Sequence, residues 1–303
     1  MDLHSKPFKI ITAVLLVVTL CFMTACSLDS AGPSDNDESS GGVSLPADTE
    51  LESDQVIVED ITDNKIVYEK NPDEKTRPAS LAKILSAIVI LENTDDMDQK
   101  VQLTQSDYDS LKNSGIATSG FLPGEKATVD DYLHGMIFCS GADACLALAR
   151  YVGGSETGFV DMMNKKADEL GMEHSSFGDP IGLDSDDTYI TVSDFSKLLK
   201  YALKNDCFRS LFQGRKYTIK ANNKRKADAV ITNAVFSHTA ADTLIKGGKL
   251  GYTKLGRKSL ASNAVIGGRE YICITAHAAE SINDLYPNIK DTEKIYNEIK
   301  EQN

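Results

Sequence analysis

The order of apolar and polar positions divides the chain after residue 55 into strands, then helices, then strands again. Val56–Val58 and Ile66–Tyr68 are short β-rich runs on either side of a polar turn, which predicts a hairpin. A long helical run follows from Leu81 to Leu91, with Ser80 in its first turn and Pro78 before it. Helical patterns then recur at about 129–139, 143–152, 157–170 and 192–204.

Beyond residue 215 the pattern returns to short strands, and a helix closes the chain. Candidate strands lie at 216–220, 244–250, 259–265 and 271–276, and the final helix lies at about 291–301. One antiparallel sheet can combine the strands of both chain ends if the helices between them form an inserted lobe. The pattern therefore predicts an α/β (α+β) fold with helices flanking that sheet and a mainly helical insertion. Ser80 is expected at the junction of the lobes, where clefts usually form.

Residues 1–25 have the pattern of an export signal. Lys6 and Lys9 precede the apolar run Ile10–Met23, which is short for a membrane-spanning helix of about 20 residues. The run ends in Met23-Thr24-Ala25-Cys26, which resembles the lipobox of bacterial lipoproteins. This resemblance implies lipidation of Cys26 and membrane attachment through the lipid. Ordinary signal cleavage and an uncleaved anchor are the alternatives. Each of the three interpretations implies that the chain is exported.

The next segment, 26–54, is acidic and polar. From Ser27 to Ser53 it contains no Lys or Arg, and its acidic residues are mixed with Ser, Gly and Pro. Such a composition cannot bury enough apolar surface to offset its ordering entropy, so it predicts a disordered tether. The remaining residues, 55–303, suit one catalytic domain. The net charge of −13 argues against binding of nucleic acid by the folded part.

The cysteines and histidines give no metal-binding pattern. Four cysteines lie in apolar surroundings beyond the leader, namely Cys139, Cys145, Cys207 and Cys273, and none forms a C-x-x-C pair. Buried free thiols are favoured, while a Cys139–Cys145 disulfide stays open because an exported domain is oxidised. The five histidines show no H-E-x-x-H spacing. No cofactor or metal is therefore expected.

Ser80-Leu81-Ala82-Lys83 is the only S-x-x-K segment in the chain. A serine and a lysine at this spacing share one face of a helix, where a neutral lysine amine can take the serine proton. Taken alone, the segment favours a simpler interpretation, in which the serine caps a helix and the lysine lies on the surface. Its position at a helix N-terminus adds a partial positive charge that can stabilise an oxyanion.

Five stretches together resemble the serine D-alanyl-D-alanine carboxypeptidases, the low-molecular-mass penicillin-binding proteins. They are Arg77-Pro78-Ala79-Ser80-Leu81-Ala82-Lys83-Ile84, Phe121-Leu122-Pro123-Gly124-Glu125, Ser140-Gly141-Ala142-Asp143-Ala144, Asp179-Pro180-Ile181-Gly182-Leu183 and Gly247-Gly248-Lys249-Leu250-Gly251-Tyr252-Thr253. The likeness runs in order from about 55 to 290. It implies a serine-type peptidase that removes the terminal D-alanine from peptidoglycan stem peptides, with β-lactams as covalent inhibitors.

The resemblance also implies a role for each matching residue. Ser80 is the expected nucleophile, and Lys83 is the expected general base, its pKa lowered by burial and by the cation of Lys249. Ser140 is expected to relay a proton to the leaving amine. Lys249 keeps the site electropositive for the substrate carboxylate.

Substrate binding is expected along Gly251, Tyr252 and Thr253, which follow Lys249 on one strand. The backbone amides of Ser80 and Tyr252 would form the oxyanion hole.

Two positions depart from the family pattern. Ala142 stands where the family has Asn, and Leu250 stands where it has the threonine that donates to the substrate carboxylate. No arginine follows Arg269 to replace that donor. Each lost hydrogen bond to a charged group costs about 1.5–3 kcal/mol, so slow acylation is expected. The alternatives are a weakly active or non-catalytic relative that binds cell-wall peptides as a sensor, and a serine hydrolase with an altered substrate. A class A β-lactamase is not favoured, because no E-x-x-L-N segment lies between Ser140 and Lys249.

Overall fold

The main sheet joins strands from both ends of the folded chain. The computed structural model describes residues 43–282 and 284–303. The strands in this part of the chain are β1 (Gln55–Asp60), β2 (Lys65–Lys70), β3 (Lys100–Gln102), β4 (Lys126–Thr128), β5 (Lys216–Ile219), β6 (Ala229–Thr232), β7 (Ile245–Thr253), β8 (Arg257–Ile266) and β9 (Arg269–Ala278). The sheet order is β2-β1-β9-β8-β7, and all neighbours are antiparallel. This arrangement confirms the predicted fold class and the predicted hairpin.

The helices lie between the two groups of strands and at the end of the chain. They are α1 (Ala82–Glu92), α2 (Gln105–Leu111), α3 (Val129–Phe138), α4 (Ala142–Gly153), α5 (Glu156–Glu169), α6 (Val192–Ala202), α7 (Asp206–Gln213) and α8 (Pro287–Glu301). The sequence pattern missed α2 and α7, because each is shorter than the window that helical periodicity needs. The predicted strand at 216–220 is β5, but it pairs with β6 in a separate hairpin.

The main sheet is covered on both faces. Val56 and Val58 of β1 belong to a cluster that includes Ile295 of α8, whereas Ile57 between them belongs to the larger cluster around α1. A strand buried on both faces carries consecutive apolar residues, as Val56–Val58 do in the middle of β1. Within the helical lobe, α1 is central, since all its residues from Ala82 to Ile90 are buried. The helix that follows the S-x-x-K serine is therefore held rigidly.

The folded domain begins before residue 55. Leu45 is buried and donates its N–H to the carbonyl of Val67 at 3.4 Å. Ser53 is fully buried, and both its N–H (2.7 Å) and its hydroxyl (2.6 Å) donate to the carboxylate of Asp291. The predicted tether boundary at 54 is therefore wrong for residues 43–54, because their few apolar side chains pack on the domain.

The predicted signal peptide and Cys26 lie outside the described residues. Within the ranges 43–282 and 284–303, no helix is both long and apolar enough to cross a bilayer.

The four cysteines of the described part are free thiols. Cys139 and Cys145 are not bridged, and Cys145 and Cys273 are buried, as favoured from the sequence. Cys207 is exposed, which corrects its predicted burial. It lies on the outer side of α7, whose inner side is formed by Phe208, Leu211 and Phe212.

Candidate active site

Ser80 lies in a 3-10 turn, Ala79–Leu81, that leads directly into α1. Ala79 has φ +50, a left-handed conformation that is costly for a residue with a Cβ and that occurs mainly at functional sites. Strand β7 passes close to this turn at Gly251, where an added Cβ would lie 3.2 Å from the carbonyl oxygen of Pro78. The missing side chain thus lets the strand approach the turn that carries Ser80.

Lys83 points at Ser80 from one turn further along. Its Nζ lies 3.0 Å from Ser80 Oγ and donates to the carbonyl of Ile181 at 2.8 Å. The side chain is almost completely buried, and this burial lowers the pKa of Lys83 to about 8 against the opposing effects of Cys145, Asp179 and Asp143. An amine with this pKa is neutral often enough near neutral pH to accept a proton.

The carbonyl that binds Lys83 belongs to a loop held by Asp179. One carboxylate oxygen accepts from the N–H groups of Ile181 (2.8 Å) and Gly182 (2.7 Å), and the other from Leu183 (3.0 Å). Gly182 has φ +83, and a Cβ there would lie 1.8 Å from the carbonyl oxygen of Ala79. The loop therefore packs directly behind the turn that carries Ser80, and the carboxylate of Asp179 holds it.

Ser140 follows the end of α3 and has φ +59, another left-handed conformation. Its hydroxyl is hydrogen-bonded to Nζ of Lys249, which also donates to the carbonyl of Leu250 at 2.8 Å. Lys249 is buried, and its pKa is lowered well below the usual range, first by that burial and then by the charge of Lys83. The sequence argument expected both burial and the cation of Lys249 to lower the pKa of Lys83. Burial does lower it, whereas the repulsion between the two lysines lowers the pKa of Lys249.

The segment after Ser140 supports the wall of the cleft. Asp143 accepts from the N–H groups of Ser119 (2.7 Å) and Phe121 (2.9 Å) and is almost completely buried. Ala142 is fully buried and donates its N–H to the carbonyl of Ala117 at 2.9 Å. Ala142 therefore offers Lys83 no polar side chain, and the Ile181 carbonyl binds Lys83 instead.

A cleft of about 600 Å³ opens in front of Ser80. Of the predicted residues, it is lined by Ser80, Lys83, Ser140, Gly251, Tyr252 and Thr253. Lys249 lies behind Ser140, and Cys26 falls outside the described residues. Strand β7 is an edge strand, so one row of its backbone groups faces this cleft and can pair with an extended peptide.

The hydroxyl of Thr253 donates to Asp184 at 2.6 Å, and Asp184 also accepts from the N–H of Leu255 at 2.9 Å. Thr253 thus closes the turn after β7 in addition to lining the cleft. The sequence analysis did not single out Asp184, although it follows directly after the D-P-I-G-L segment.

Three further residues line the cleft near Leu250, and sequence reasoning missed them. Lys258 Nζ lies 4.3 Å from the ring centroid of Tyr252 and 5.0 Å from that of Tyr286. His238 stacks on Tyr286 with ring centroids 3.9 Å apart, and burial together with the charge of Lys258 lowers the pKa of His238. Leu250 packs here against the smaller hydrophobic cluster. No motif connects positions 238, 258 and 286, so only the fold brings them together.

Comparison with known proteins agrees with this geometry. Residues 42–280 match a family model described as D-alanyl-D-alanine carboxypeptidase. The chain is 32% identical over 219 residues to the D-alanyl-D-alanine carboxypeptidase DacF of Bacillus subtilis, covering 71% of this chain and 54% of that protein. It is 35% identical over 158 residues to DacC of Escherichia coli, covering 50% of this chain and 39% of that protein. The chain thus spans about half the length, or less, of these curated relatives.

Among solved structures, the chain resembles the DD-transpeptidase of Streptomyces K15 with a TM-score of 0.76 at 24% identity, covering 82% of this chain and 97% of that one. A D-alanyl-D-alanine carboxypeptidase of Mycobacterium tuberculosis matches with a TM-score of 0.73 at 23% identity, covering 84% of this chain and 93% of that one. At these identities the likeness establishes the fold.

Proposed function

Because the chain belongs to the D-alanyl-D-alanine carboxypeptidase family, we propose that it is a serine-type carboxypeptidase that removes the terminal D-alanine from peptidoglycan stem peptides. The observation that carries the proposal is the contact of 3.0 Å between Ser80 Oγ and a buried Lys83 whose pKa is lowered to about 8. A serine and a neutral lysine in contact are the parts that nucleophilic acyl transfer needs.

In the first step the Lys83 amine takes the Ser80 proton, and Ser80 Oγ forms a bond to the carbonyl carbon of the penultimate D-alanine. The backbone N–H groups of Ser80 and Tyr252 receive the developing oxyanion. The amide C–N bond then breaks, and the leaving D-alanine nitrogen takes a proton through the hydroxyl of Ser140. The contact of Ser140 with Lys249 supports this relay. Water then hydrolyses the ester and restores Ser80.

The substrate carboxylate needs a positive partner, which Leu250 cannot supply. Lys258 lines the cleft on the same side of the sheet as Tyr252, its partner across β7 and β8. Its side chain is 15% exposed and contacts Glu280 at 3.1 Å. We assign the carboxylate to Lys258, since a charged hydrogen bond there replaces the donor that Leu250 lacks.

A second candidate function rests on Leu250 itself. Its side chain packs against the smaller hydrophobic cluster and forms an apolar part of the cleft wall. An apolar wall favours a leaving group without a free carboxylate, such as an amide or an ester. A non-catalytic sensor that binds cell-wall peptides is the remaining alternative.

We also propose that the chain is exported and held at the membrane by a lipid on Cys26, which the lipobox-like segment before it supports. Peptidoglycan lies outside the cytoplasmic membrane, so a carboxypeptidase of this family needs such export. Mass spectrometry of the mature protein tests the anchor: a lipidated N-terminal Cys26 is expected, and a lipid-free N-terminus elsewhere contradicts it.

Mass spectrometry of the protein incubated with a penicillin tests the catalytic proposal. A covalent adduct on Ser80 is expected, absent in Ser80→Ala and formed much more slowly in Lys83→Ala. Ser114→Ala is the matched control, because Ser114 lines the same cleft without a role in the mechanism. A second assay measures the D-alanine released from a D-Ala-D-Ala peptide and the D-alaninamide released from its C-terminal amide.

The outcomes separate the three functions. Release of D-alanine from the free acid supports the carboxypeptidase. Faster cleavage of the amide supports the altered substrate, and peptide binding without any adduct or cleavage supports the sensor. An adduct on a serine other than Ser80 contradicts the mechanism.

A further inference from the structure

His238 lines the catalytic cleft from a turn that is anchored to β7. The turn is the 3-10 segment Ala234–Ser237, and His238 follows it directly. Asn233 anchors the turn, because its side-chain oxygen accepts from the N–H of Val235 at 3.1 Å and its amide donates to the carbonyl of Gly248 on β7 at 3.4 Å. Asn233 and Val235 are almost completely buried. The same strand that carries the predicted substrate-binding residues therefore fixes the position of His238.

The ring of His238 is accessible from the cleft, and its nitrogens are available to a ligand. It stacks on Tyr286 with ring centroids 3.9 Å apart, and His238 is an exposed residue. The rings of His134 and His277 each contact an oxygen atom, at 2.9 Å and 2.6 Å. By contrast, the ring nitrogens of His238 bind no group in residues 43–282 and 284–303. Stacking fixes the plane of the ring without using its N–H, which can therefore donate to a ligand in the cleft.

The ion pairs around this ring carry little net charge. Lys258 Nζ lies 3.1 Å from the carboxylate of Glu280. Asp284 and Lys290, which flank the start of α8, lie 2.8 Å apart. Each pair combines one positive and one negative charge, so this end of the cleft is close to neutral when His238 is neutral. A proton on His238 therefore adds a positive charge that no carboxylate of these pairs compensates.

Further charged residues line the cleft, namely Lys83, Asp184 and Lys254. Asp184 accepts hydrogen bonds from the turn after β7. Burial and then the charge of Lys258 lower the pKa of His238. Its ring is therefore mainly neutral at pH 7 and gains a proton in mildly acidic solution.

We propose that His238 is a second binding partner of the substrate's C-terminal carboxylate and that protonation of its ring tightens this binding. The inference rests on the proposed function, since it concerns the carboxylate next to the cleaved bond. That carboxylate lies one residue beyond the carbonyl that the Tyr252 N–H receives, on the order of 4 Å away. Lys258 is the partner of Tyr252 across β7 and β8, and its Nζ lies 5.0 Å from the centroid of the ring on which His238 stacks.

This assignment makes His238 a determinant of specificity for a free carboxylate. The neutral ring donates one hydrogen bond, and the protonated ring donates a stronger, charged one. Because Glu280 already pairs with Lys258, the proton on His238 supplies the positive charge that the substrate carboxylate needs. A C-terminal amide carries no charge and gains nothing from that proton.

Equilibrium binding to the full chain with Ser80→Ala, which cannot form the acyl-enzyme, tests the proposal by calorimetry. The ligands are a D-Ala-D-Ala peptide and its C-terminal amide, each at pH 8 and pH 5. Adding His238→Asn, which keeps an N–H donor but cannot be protonated, should weaken binding of the free acid about tenfold at pH 5 and little at pH 8. The comparison is made at one pH because Lys83 and Lys249 also have lowered pKa values. His174→Asn, an exposed histidine outside the cleft, is the control.

His238→Phe keeps the stacking on Tyr286 but removes the donor. It should weaken binding of the free acid about tenfold at both pH values and leave binding of the amide unchanged. An NMR titration of the ring in the Ser80→Ala chain measures the protonation directly. The pKa of His238 should rise by about one unit when the free acid is bound, and it should not rise with the amide.

Four results overturn the proposal: no binding of the free acid, no effect of His238→Asn at pH 5, equal losses for acid and amide, or an equal loss in His174→Asn. Circular dichroism checks that each variant is folded, and the NMR titration needs no variant of His238. If the wild type cleaves no D-Ala-D-Ala peptide but binding of the free acid depends on pH through His238, the proposed function fails and the carboxylate site stands.

Discussion

Lys83 donates a hydrogen bond of 2.8 Å to the backbone carbonyl of Ile181. The family pattern places an asparagine side chain at position 142 in the second motif, where this chain has a fully buried alanine. The Ile181 carbonyl holds the lysine without that side chain. The departure at position 142 therefore leaves Lys83, the proposed general base, in contact with Ser80.

The rate of acylation should depend on the protonation of Lys83. Its pKa is lowered to about 8, so below this pH the neutral fraction falls about tenfold for each pH unit. The rate of adduct formation with a penicillin should rise about tenfold from pH 6 to pH 7 and level off above the pKa. Stopped-flow measurement of acylation from pH 6 to 9.5 checks this, with Lys83→Ala as the control that loses the step. A rate independent of pH contradicts the assignment of Lys83 as base.

Replacement of Asp179 by asparagine should shift that pH profile. The Asp179 carboxylate raises the pKa of Lys83, so its removal should move the midpoint of acylation to lower pH. The asparagine oxygen can still accept from the N–H groups of Ile181 and Gly182, which keeps the loop in place. Asp168→Asn, an exposed carboxylate on α5, is the control and should leave the midpoint unchanged. A midpoint that moves upward in Asp179→Asn would contradict the electrostatic argument.

A threonine at position 250 should improve the cleavage of D-Ala-D-Ala peptides. Its hydroxyl can donate to the substrate carboxylate, and a hydrogen bond to a charged group is worth about 1.5 kcal/mol or more, or roughly tenfold in kcat/KM. Leu250→Val is the matched control, because valine has the shape of threonine without its hydroxyl. The measurement is D-alanine release by the two variants and the wild type. Equal gains in both variants would assign the effect to size, and no gain would favour a substrate without a carboxylate.

Loss of the Lys258 charge should weaken binding of the substrate carboxylate. Lys258→Met keeps most of the aliphatic side chain between Tyr252 and Tyr286, so the expected result is a KM about tenfold higher with kcat nearly unchanged. Lys246→Met is the control, an exposed lysine of β7 that does not line the cleft. The comparison uses a D-Ala-D-Ala peptide and its C-terminal amide. An equal rise of KM for both substrates contradicts a role of Lys258 in carboxylate binding.

An alanine at position 182 should displace the loop behind the nucleophile. Its Cβ would lie 1.8 Å from the carbonyl oxygen of Ala79, so the loop or the turn must move. The acylation rate of the folded protein should fall by about a hundredfold, because a displacement of reacting groups by about 1 Å can reduce a rate by that factor. Gly171→Ala is the matched control, because Gly171 also has positive φ (+68) but no heavy atom within 4 Å of the added Cβ.

Gly171→Ala should therefore lower Tm by about 2–4 °C through backbone strain alone, with acylation unchanged. Circular dichroism of both variants separates loss of folding from loss of activity. Normal acylation in Gly182→Ala would show that the loop does not position the site.

Local sequence patterns predicted most elements of the main sheet and the helical lobe, and they also predicted the contact between Ser80 and Lys83. Strands and helices of the main sheet and the helical lobe have long periodic runs, and the S-x-x-K segment places Ser80 and Lys83 on adjacent turns through backbone geometry alone. The short α2 and α7 lack such runs, and the packing of residues 43–54 depends on contacts with Val67 and Asp291 that are distant in sequence.

Only the tertiary structure decided how the site is held and what else lines it. The Ile181 carbonyl binds Lys83 across 98 positions, and Lys249 reaches Ser140 across 109. Backbone carbonyls carry no sequence signal, so no motif could assign the first contact. Burial sets the pKa of Lys83, and burial is a property of the packed chain rather than of any segment. The grouping of Lys258 with Tyr286 likewise exists only once distant elements pack together.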